Sequence, residues 1–200
     1  ELRILSHYMN NKEYINEVIN GDIHTTNQTL AGLESRDTAK TFIYAFIYGA
    51  GNKKLGSICG RSQEYGGKIK ERFLKSLPSL KRLRDRVDLA CGKGYLKGID
   101  QRNLIIRQKH SAVNTLIQGA GAIAMKKALV LLDKEIEKNN IDALPVANVH
   151  DEFQYQVKEN QAEQLGQLAV QSITNAGKEL NIRCPLTGEY KIGNNWKETH

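Results

Sequence analysis

SRDTAKTFIYAFIYGAG, residues 35–51, is the most informative segment of this 200-residue chain. Ser35 is a favourable N-cap residue, and Asp37 lies in the first turn, where a negative charge suits the helix dipole. The glycines that follow Tyr48 end the helical pattern. The sequence therefore predicts one helix from about Ser35 to Tyr48.

Four side chains recur along this helix at four-residue spacing: Arg36, Lys40, Tyr44 and Tyr48. They form one slowly winding stripe, which is about 18 Å long at the usual helical rise. The cations come first, where a helix end attracts phosphate, and the aromatic rings come last, where a base can stack. This order matches a nucleoside triphosphate. A helix with a solvated cationic face and aromatic core residues has the same spacing.

The same residues resemble motif B, the O helix, of the family A (DNA polymerase I-like) DNA polymerases. The family pattern R-x-x-x-K-x-x-x-(F/Y)-x-x-x-Y-G is complete, with Gly49 in place. The sequence GDIHT at residues 21–25 and the tyrosine at the third position are similar to the phage replicative branch. The resemblance implies a DNA-directed DNA polymerase of viral DNA replication, an enzyme that adds nucleotides to a primer 3′-hydroxyl.

The resemblance also implies roles within the nucleotide site. Arg36 and Lys40 contact the phosphates of the incoming dNTP, and Lys40 protonates the departing pyrophosphate. Tyr44 packs at the sugar, and Tyr48 controls the template-base position. The implied nucleotide-binding residues are Glu1, His24, Arg36, Lys40, Tyr44 and Tyr48, with His24 as a phosphate contact and Glu1 as a steric gate that can hydrogen-bond the Tyr44 hydroxyl.

A second motif lies between two predicted short strands, at His150-Asp151-Glu152. A hairpin turn presents carboxylates rigidly, as a hard cation such as Mg²⁺ requires, but an acidic turn without metal is the commoner case. The triplet resembles motif C of the same family. The resemblance makes Asp151 a metal ligand, Glu152 a supporting carboxylate and His150 a DNA contact near the primer terminus. The catalytic residues it implies are Asp151, Glu152 and Lys40, working with two Mg²⁺ ions.

A long helix from Ser111 to about Lys138 is predicted by its apolar periodicity. His110, Asn114 and Gln118 fall on one edge of it at four-residue spacing. Asparagine and glutamine there can cap the helix or face water, and they can also bond minor-groove acceptors. In the family that the motifs resemble, this helix binds the primer–template minor groove, which implies DNA-binding roles for these three residues.

The predicted fold is α+β: helical fingers plus a palm with a small antiparallel sheet, part of a right-hand polymerase. The expected domains are a palm segment at 1–20, fingers at 21–103 and a palm with the motif C hairpin at 104–200. The first segment ends motif A and continues as a helix that Gly21-Asp22 breaks. Further predicted elements are basic helices at 62–76 and 79–91, a hairpin at 94–107, a helix at 160–180 and an irregular tail.

Charge is unevenly placed along the chain, whose net charge is +7. Residues 53–110 hold sixteen Lys and Arg against five Asp and Glu. Such a block suits a polyanion, although a solvated basic face is also common. Two alternatives to the polymerase are therefore a catalytically incomplete nucleic-acid-binding module and, less favoured, a metal-dependent phosphohydrolase, for which the sequence offers no second cluster of ligands.

The ends and the cysteines set further expectations. Three scattered cysteines favour a reducing compartment, so a cytoplasmic location in the host cell is expected. No membrane segment is expected. Glu1-Leu2-Arg3 resembles the end of motif A, which implies that its aspartate, the thumb and any site for a thioredoxin-like processivity factor lie upstream. The 200-residue piece alone is then expected to be inactive. The expected partners are primer–template DNA and dNTP.

Overall fold

A computed structural model describes all 200 residues, and it is mainly helical with two small antiparallel hairpins. The helices are α1 (Leu2–Met9), α2 (Lys12–Asn20), α3 (Ile23–Ala31), α4 (Arg36–Ile47), α5 (Asn52–Ile58), α6 (Gln63–Ser76), α7 (Pro78–Cys91), α8 (Ala112–Lys138), α9 (Glu159–Glu179) and α10 (Trp196–Thr199). The strands are β1 (Tyr95–Lys97), β2 (Asn103–Ile105), β3 (Ala143–Val149) and β4 (Glu152–Val157).

The chain divides into two compact units, Glu1–Gly119 and Ala120–His200, and the boundary falls within α8. This division follows compactness and does not identify palm or fingers. The predicted boundaries at residues 20 and 103 therefore stay predictions.

The first unit is built around aromatic side chains from α4 and α6. Phe42 and Phe46 both meet the Phe73 ring edge-on, with ring centroids 5.5 and 5.6 Å apart. Edge-to-face packing of this kind is a preferred geometry of aromatic pairs. Both Phe42 and Phe73 are fully buried, so this cluster fixes one face of α4 against the unit's interior and leaves the opposite face accessible.

The second unit combines the β3–β4 hairpin with α9 and the segment after it. The strands pair from Ala143↔Val157 to Val149↔Glu152, with a register irregularity between Pro145 and Ala147. The Tyr190 ring lies so close to Gly166 of α9 that a Cβ at this position would collide with it. The predicted α+β class, the hairpins and the helices near 62–76, 79–91, 111–138 and 160–180 are confirmed.

Three local predictions are wrong or incomplete. The segment 1–20 is two helices, because Asn10 adopts a left-handed conformation with φ 50° and Asn11 caps α2. Helices α3 and α5 are absent from the predicted elements, since both are short and lack a strong apolar stripe. The tail contains the one-turn helix α10.

The long helix is unusually apolar. Lys109–Lys138 could cross a membrane by length and composition alone, contrary to the expectation that no segment would qualify. The core helix of a soluble protein meets the same criterion. Buried residues recur along it mostly at four-residue spacing: Ala112, Leu116, Ala120, Ala124, Ala128 and Leu132.

Candidate nucleotide-binding and metal-binding sites

Helix α4 has one buried and one accessible face, as its sequence predicts. Ser35 caps it by accepting a hydrogen bond from the Thr38 amide over 3.1 Å, and Gly49, with φ 82°, follows its end. The side chains at the predicted four-residue spacing lie on the accessible face, where Tyr44 is half-buried. The predicted stripe is therefore confirmed as a surface, while its role in binding nucleotide stays a prediction.

Arg36 is held by an acidic partner that its own motif does not indicate. Its Nε lies 2.7 Å from Asp22 Oδ2, and both side chains are about half exposed. Asp22 also caps α3 by accepting hydrogen bonds from the His24 and Thr25 amides. The hydrogen bond from Arg36 is the main reason why the pKa of the Asp22 carboxyl lies well below its usual range. Asp22 thus keeps its negative charge beside the first cation of the stripe.

His24 of α3 and Tyr44 of α4 face one another, with ring centroids 6.2 Å apart. Burial is the main cause that lowers the pKa of His24, and the positive charges of Arg36 and Lys40 lower it further. The buried Nδ1 of His24 has no hydrogen-bond partner. Burial also raises the pKa of the Tyr44 hydroxyl, with a smaller effect from Glu1. The predicted phosphate contact therefore lies next to the cations and carries an unused polar atom.

Glu1 makes its contacts one helical turn away from the predicted place. Its carboxylate accepts a hydrogen bond from the Tyr48 hydroxyl, which raises the pKa of Tyr48. Gln118 Nε2 donates to the same Glu1 oxygen over 2.5 Å and lies 3.3 Å from the Tyr48 oxygen. Tyr48 and Gln118 thus both bond Glu1 Oε1, and the hydrogen bond between Glu1 and the Tyr44 hydroxyl that the resemblance allows stays a prediction.

The beginning of α8 lies beside the end of α4. A Cβ on Gly49 would collide with the His110 carbonyl oxygen, so only glycine allows this approach. The Asn114 side-chain oxygen is buried without a hydrogen-bond partner. The structure thus brings His110 and Gln118, two of the predicted DNA-binding residues, to the C-terminal half of the α4 stripe.

The motif C triplet forms the tight end of the β3–β4 hairpin. Val149 pairs with Glu152, so His150 and Asp151 make the two-residue turn, with His150 at φ 53°. Asp151 is exposed. Glu152 is hydrogen-bonded by Gln154 Nε2 and His200 Nδ1, and these bonds, that of Gln154 first, lower the pKa of the Glu152 carboxyl.

Gln154 and His200 are neighbours of Glu152 that the motif alone does not name. The spacing Glu152-x-Gln154 places both side chains on one face of a strand, so this contact has a sequence signal. The contact of His200 with Glu152 has no such sequence signal, since only the tertiary fold brings His200 to the hairpin.

The hairpin offers a partial set of ligands for a divalent cation. Two adjacent carboxylates, Asp151 and Glu152, have the oxygen chemistry that Mg²⁺ prefers. No group of three or more His, Cys, Asp and Glu side chains in the chain comes together in a way that could hold a metal ion. The donor type of these two carboxylates fits Mg²⁺.

Comparison with known proteins connects these features. The sequence model of the family described as DNA polymerase family A matches residues 1–198 of this chain. The chain belongs to DNA polymerase family A. The predicted family is therefore confirmed over nearly the whole chain.

Relatives within family A include phage and bacterial proteins. The chain is 43% identical over 194 residues to a DNA-directed DNA polymerase of Escherichia phage Phieco32, covering 94% of this chain and 32% of the relative. It is 36% identical over 228 residues to the DNA-directed DNA polymerase of Escherichia phage T7, covering 100% of this chain and 32% of the relative. DNA polymerase I of Aquifex aeolicus is 33% identical over 172 residues, covering 82% of this chain and 30% of the relative. The chain thus spans about a third of the length of these relatives.

A solved structure shares the fold. The POL domain of Pol1 from M. smegmatis, in complex with DNA primer-template and dNTP, superposes with a TM-score of 0.77 at 24% identity. The match covers 88% of this chain and 35% of that one. This likeness confirms the predicted α+β fold.

Proposed function

We propose that the chain is the fingers-and-palm part of a DNA-directed DNA polymerase that acts in viral DNA replication. The observation that carries this proposal is the accessible stripe of α4, with cations at its capped end and tyrosines towards Gly49. Family membership and the phage relatives support it. The substrates are then dNTP and primer–template DNA, and the place of action is the cytoplasm of the host cell.

In the proposed site, Arg36 and Lys40 bind the triphosphate, and His24 adds a phosphate contact. Lys40 donates a proton to the departing pyrophosphate, which is general acid catalysis. Tyr44 packs at the sugar, next to His24. The partial positive charge at the start of α4 favours phosphate at the same end.

At the C-terminal half of the stripe, Tyr48 and Glu1 border the templating base pair and the sugar. His110, Asn114 and Gln118 bind the primer–template duplex in this proposal. In this role the Asn114 Nδ2 donates to the minor-groove acceptors, since the buried Oδ1 can only accept a hydrogen bond.

At the hairpin, Asp151 and Glu152 hold Mg²⁺ and His150 contacts the primer terminus. When bound, two Mg²⁺ ions stabilise the attacking and leaving oxygens of phosphoryl transfer. In this proposal, the second aspartate and the binding region for any thioredoxin-like partner lie outside residues 1–200.

The experiment is primer extension by the full-length protein, compared with its Asp151→Ala variant. We expect extension by the unaltered protein and its loss in the variant, with primer–template affinity retained. Retained extension in the variant contradicts the assigned metal ligand, and DNA binding without extension by the unaltered protein supports the binding-module alternative. The isolated 200-residue chain is expected to give no extension.

A further inference from the structure

The hairpin carries a chain of hydrogen bonds that reaches from Glu152 to α10. Gln154 follows Glu152 by two residues in β4, so both side chains project from the same face of the strand. Gln154 Nε2 donates to Glu152 Oε1, while Thr199 Oγ1 lies 3.2 Å from Gln154 Oε1. His200 Nδ1 lies 2.9 Å from Glu152 Oε2. Both oxygens of the Glu152 carboxylate are therefore held.

Each end of the Gln154 amide has a partner. Thr199 has one hydroxyl proton, which it shares between Gln154 Oε1 and the Trp196 carbonyl oxygen, also at 3.2 Å. Thr199 is itself placed by α10, whose first turn is capped by the Asn195 side chain. The orientation of the Gln154 amide is thus set from one side by α10 and from the other by Glu152.

The same side chains border one space. A cavity of about 210 Å³ in the second unit is lined in part by Asp151, Glu152, Gln154 and Thr199. A carboxylate that binds a cation needs hydrogen-bond partners that fix its orientation, and such partners strongly affect metal affinity.

We propose that Gln154 is a positioning residue that orients Glu152 for a divalent cation shared with Asp151, and that Thr199 holds Gln154 in that role. This inference rests on the proposed function, since the cation belongs to the polymerase site. If the hydrogen bond between Gln154 and Glu152 only stabilises the hairpin, its removal lowers the stability of the protein without changing the metal dependence.

The test compares four variants of the full-length protein: Gln154→Leu, Thr199→Val, Thr199→Ser and Gln156→Leu. Two quantities are measured: the Mg²⁺ concentration for half-maximal single-turnover extension, and Mn²⁺ binding by electron paramagnetic resonance with a dideoxy-terminated primer–template and dNTP. We expect Gln154→Leu to weaken both by about tenfold, the lower end of the range for residues that support metal ligands. Thr199→Val should act in the same direction by a smaller factor.

The other two variants are matched controls. Thr199→Ser keeps the hydroxyl, and Gln156 is an exposed glutamine of the same strand, so both should leave the two metal midpoints unchanged. Equal metal midpoints in Gln154→Leu and Gln156→Leu overturn the proposal, as does a change confined to thermal stability or DNA affinity. If the unaltered protein binds Mn²⁺ but does not extend primers, the proposed function fails while the Mn²⁺ comparison still decides the role of Gln154.

Discussion

At the residue scale, charge pairing around the stripe links α3 to α4. Asp22 has two tasks, since it caps α3 and neutralises Arg36. In the proposed site, a triphosphate has to compete with Asp22 for the Arg36 guanidinium. Because an exposed ion pair of this kind is weak, a triphosphate can displace Asp22 from the Arg36 guanidinium.

Replacing Asp22 with asparagine tests this competition. Asparagine still caps a helix but carries no charge, so Asp22→Asn should release Arg36 and tighten dNTP binding by up to about fivefold, the range typical of exposed ion pairs. The measurement is the dNTP dependence of single-turnover extension. Glu34→Gln is the control, because it frees Arg61 from a comparable surface pair at 3.1 Å. Weaker dNTP binding in Asp22→Asn would show that the pair organises the site instead.

His24 should respond to both pH and triphosphate. Its pKa is lowered in the folded chain, below the usual value of about 6.5. The unfolded chain therefore takes up the proton first as pH falls. This residue consequently contributes no pH dependence of stability well above pH ~6.5, and it lowers stability as pH falls from there towards the folded pKa.

NMR titration with ¹³C-labelled histidine measures this effect. We expect the His24 midpoint to lie below about 6.5 without ligand and to rise when an unreactive dNTP analogue is bound, because phosphate charge favours the imidazolium. Affinity for the analogue should then increase as pH falls, and His24→Gln should reduce that pH dependence. A midpoint that the analogue does not move argues against a phosphate contact at His24.

At the element scale, the junction of α4 with the start of α8 depends on one glycine. Gly49 has φ 82°, and a Cβ there would meet the His110 carbonyl oxygen. Gly94 provides a matched comparison, with φ 77° and no atom within 4 Å of the place that its Cβ would occupy.

Gly49→Ala should therefore destabilise more than Gly94→Ala. Both variants bear the cost of a left-handed alanine, about 1–2 kcal/mol. Gly49→Ala must also move His110 away from the new methyl group, so its loss of unfolding free energy should exceed that of Gly94→Ala by about 1 kcal/mol or more. Urea denaturation measures both. Equal losses of unfolding free energy would mean that His110 can move away from the new methyl group without destabilising the protein.

At the scale of the whole molecule, the balance of charged residues differs between the two units. Glu1–Gly119 contains 20 Lys and Arg against 11 Asp and Glu, whereas Ala120–His200 contains 9 against 11. Lys75, Lys81 and Arg82 are exposed and belong to none of the ion pairs of the structure. Cations of this kind are available to bind a polyanion.

Salt dependence of DNA binding tests the basic surface. Changing Lys75, Lys81 and Arg82 together to glutamine should reduce the slope of log affinity against log salt by about 1 for each phosphate that these cations neutralise. The control changes three lysines that already have acidic partners: Lys127, Lys138 and Lys158. If the two triple variants show the same slope, the basic block is an ordinary solvated face.

Short-range sequence patterns were sufficient to predict the strongly periodic helices, both hairpins, the accessible stripe of α4 and the family. These features depend on neighbours within a few residues, where capping, period and turn chemistry act directly. The break at Asn10 escaped prediction because a left-handed asparagine interrupts a helical pattern without changing its apolar spacing.

Packing between distant elements settled which side chains meet. The Arg36–Asp22 pair, the Glu1 contacts with Tyr48 and Gln118, and the hold of Thr199 and His200 on the hairpin join residues far apart in the chain. Local patterns do not encode such contacts, because they depend on how whole elements pack. The stripe within residues 35–51 was therefore predictable as an accessible surface, whereas the residues that contact it were not.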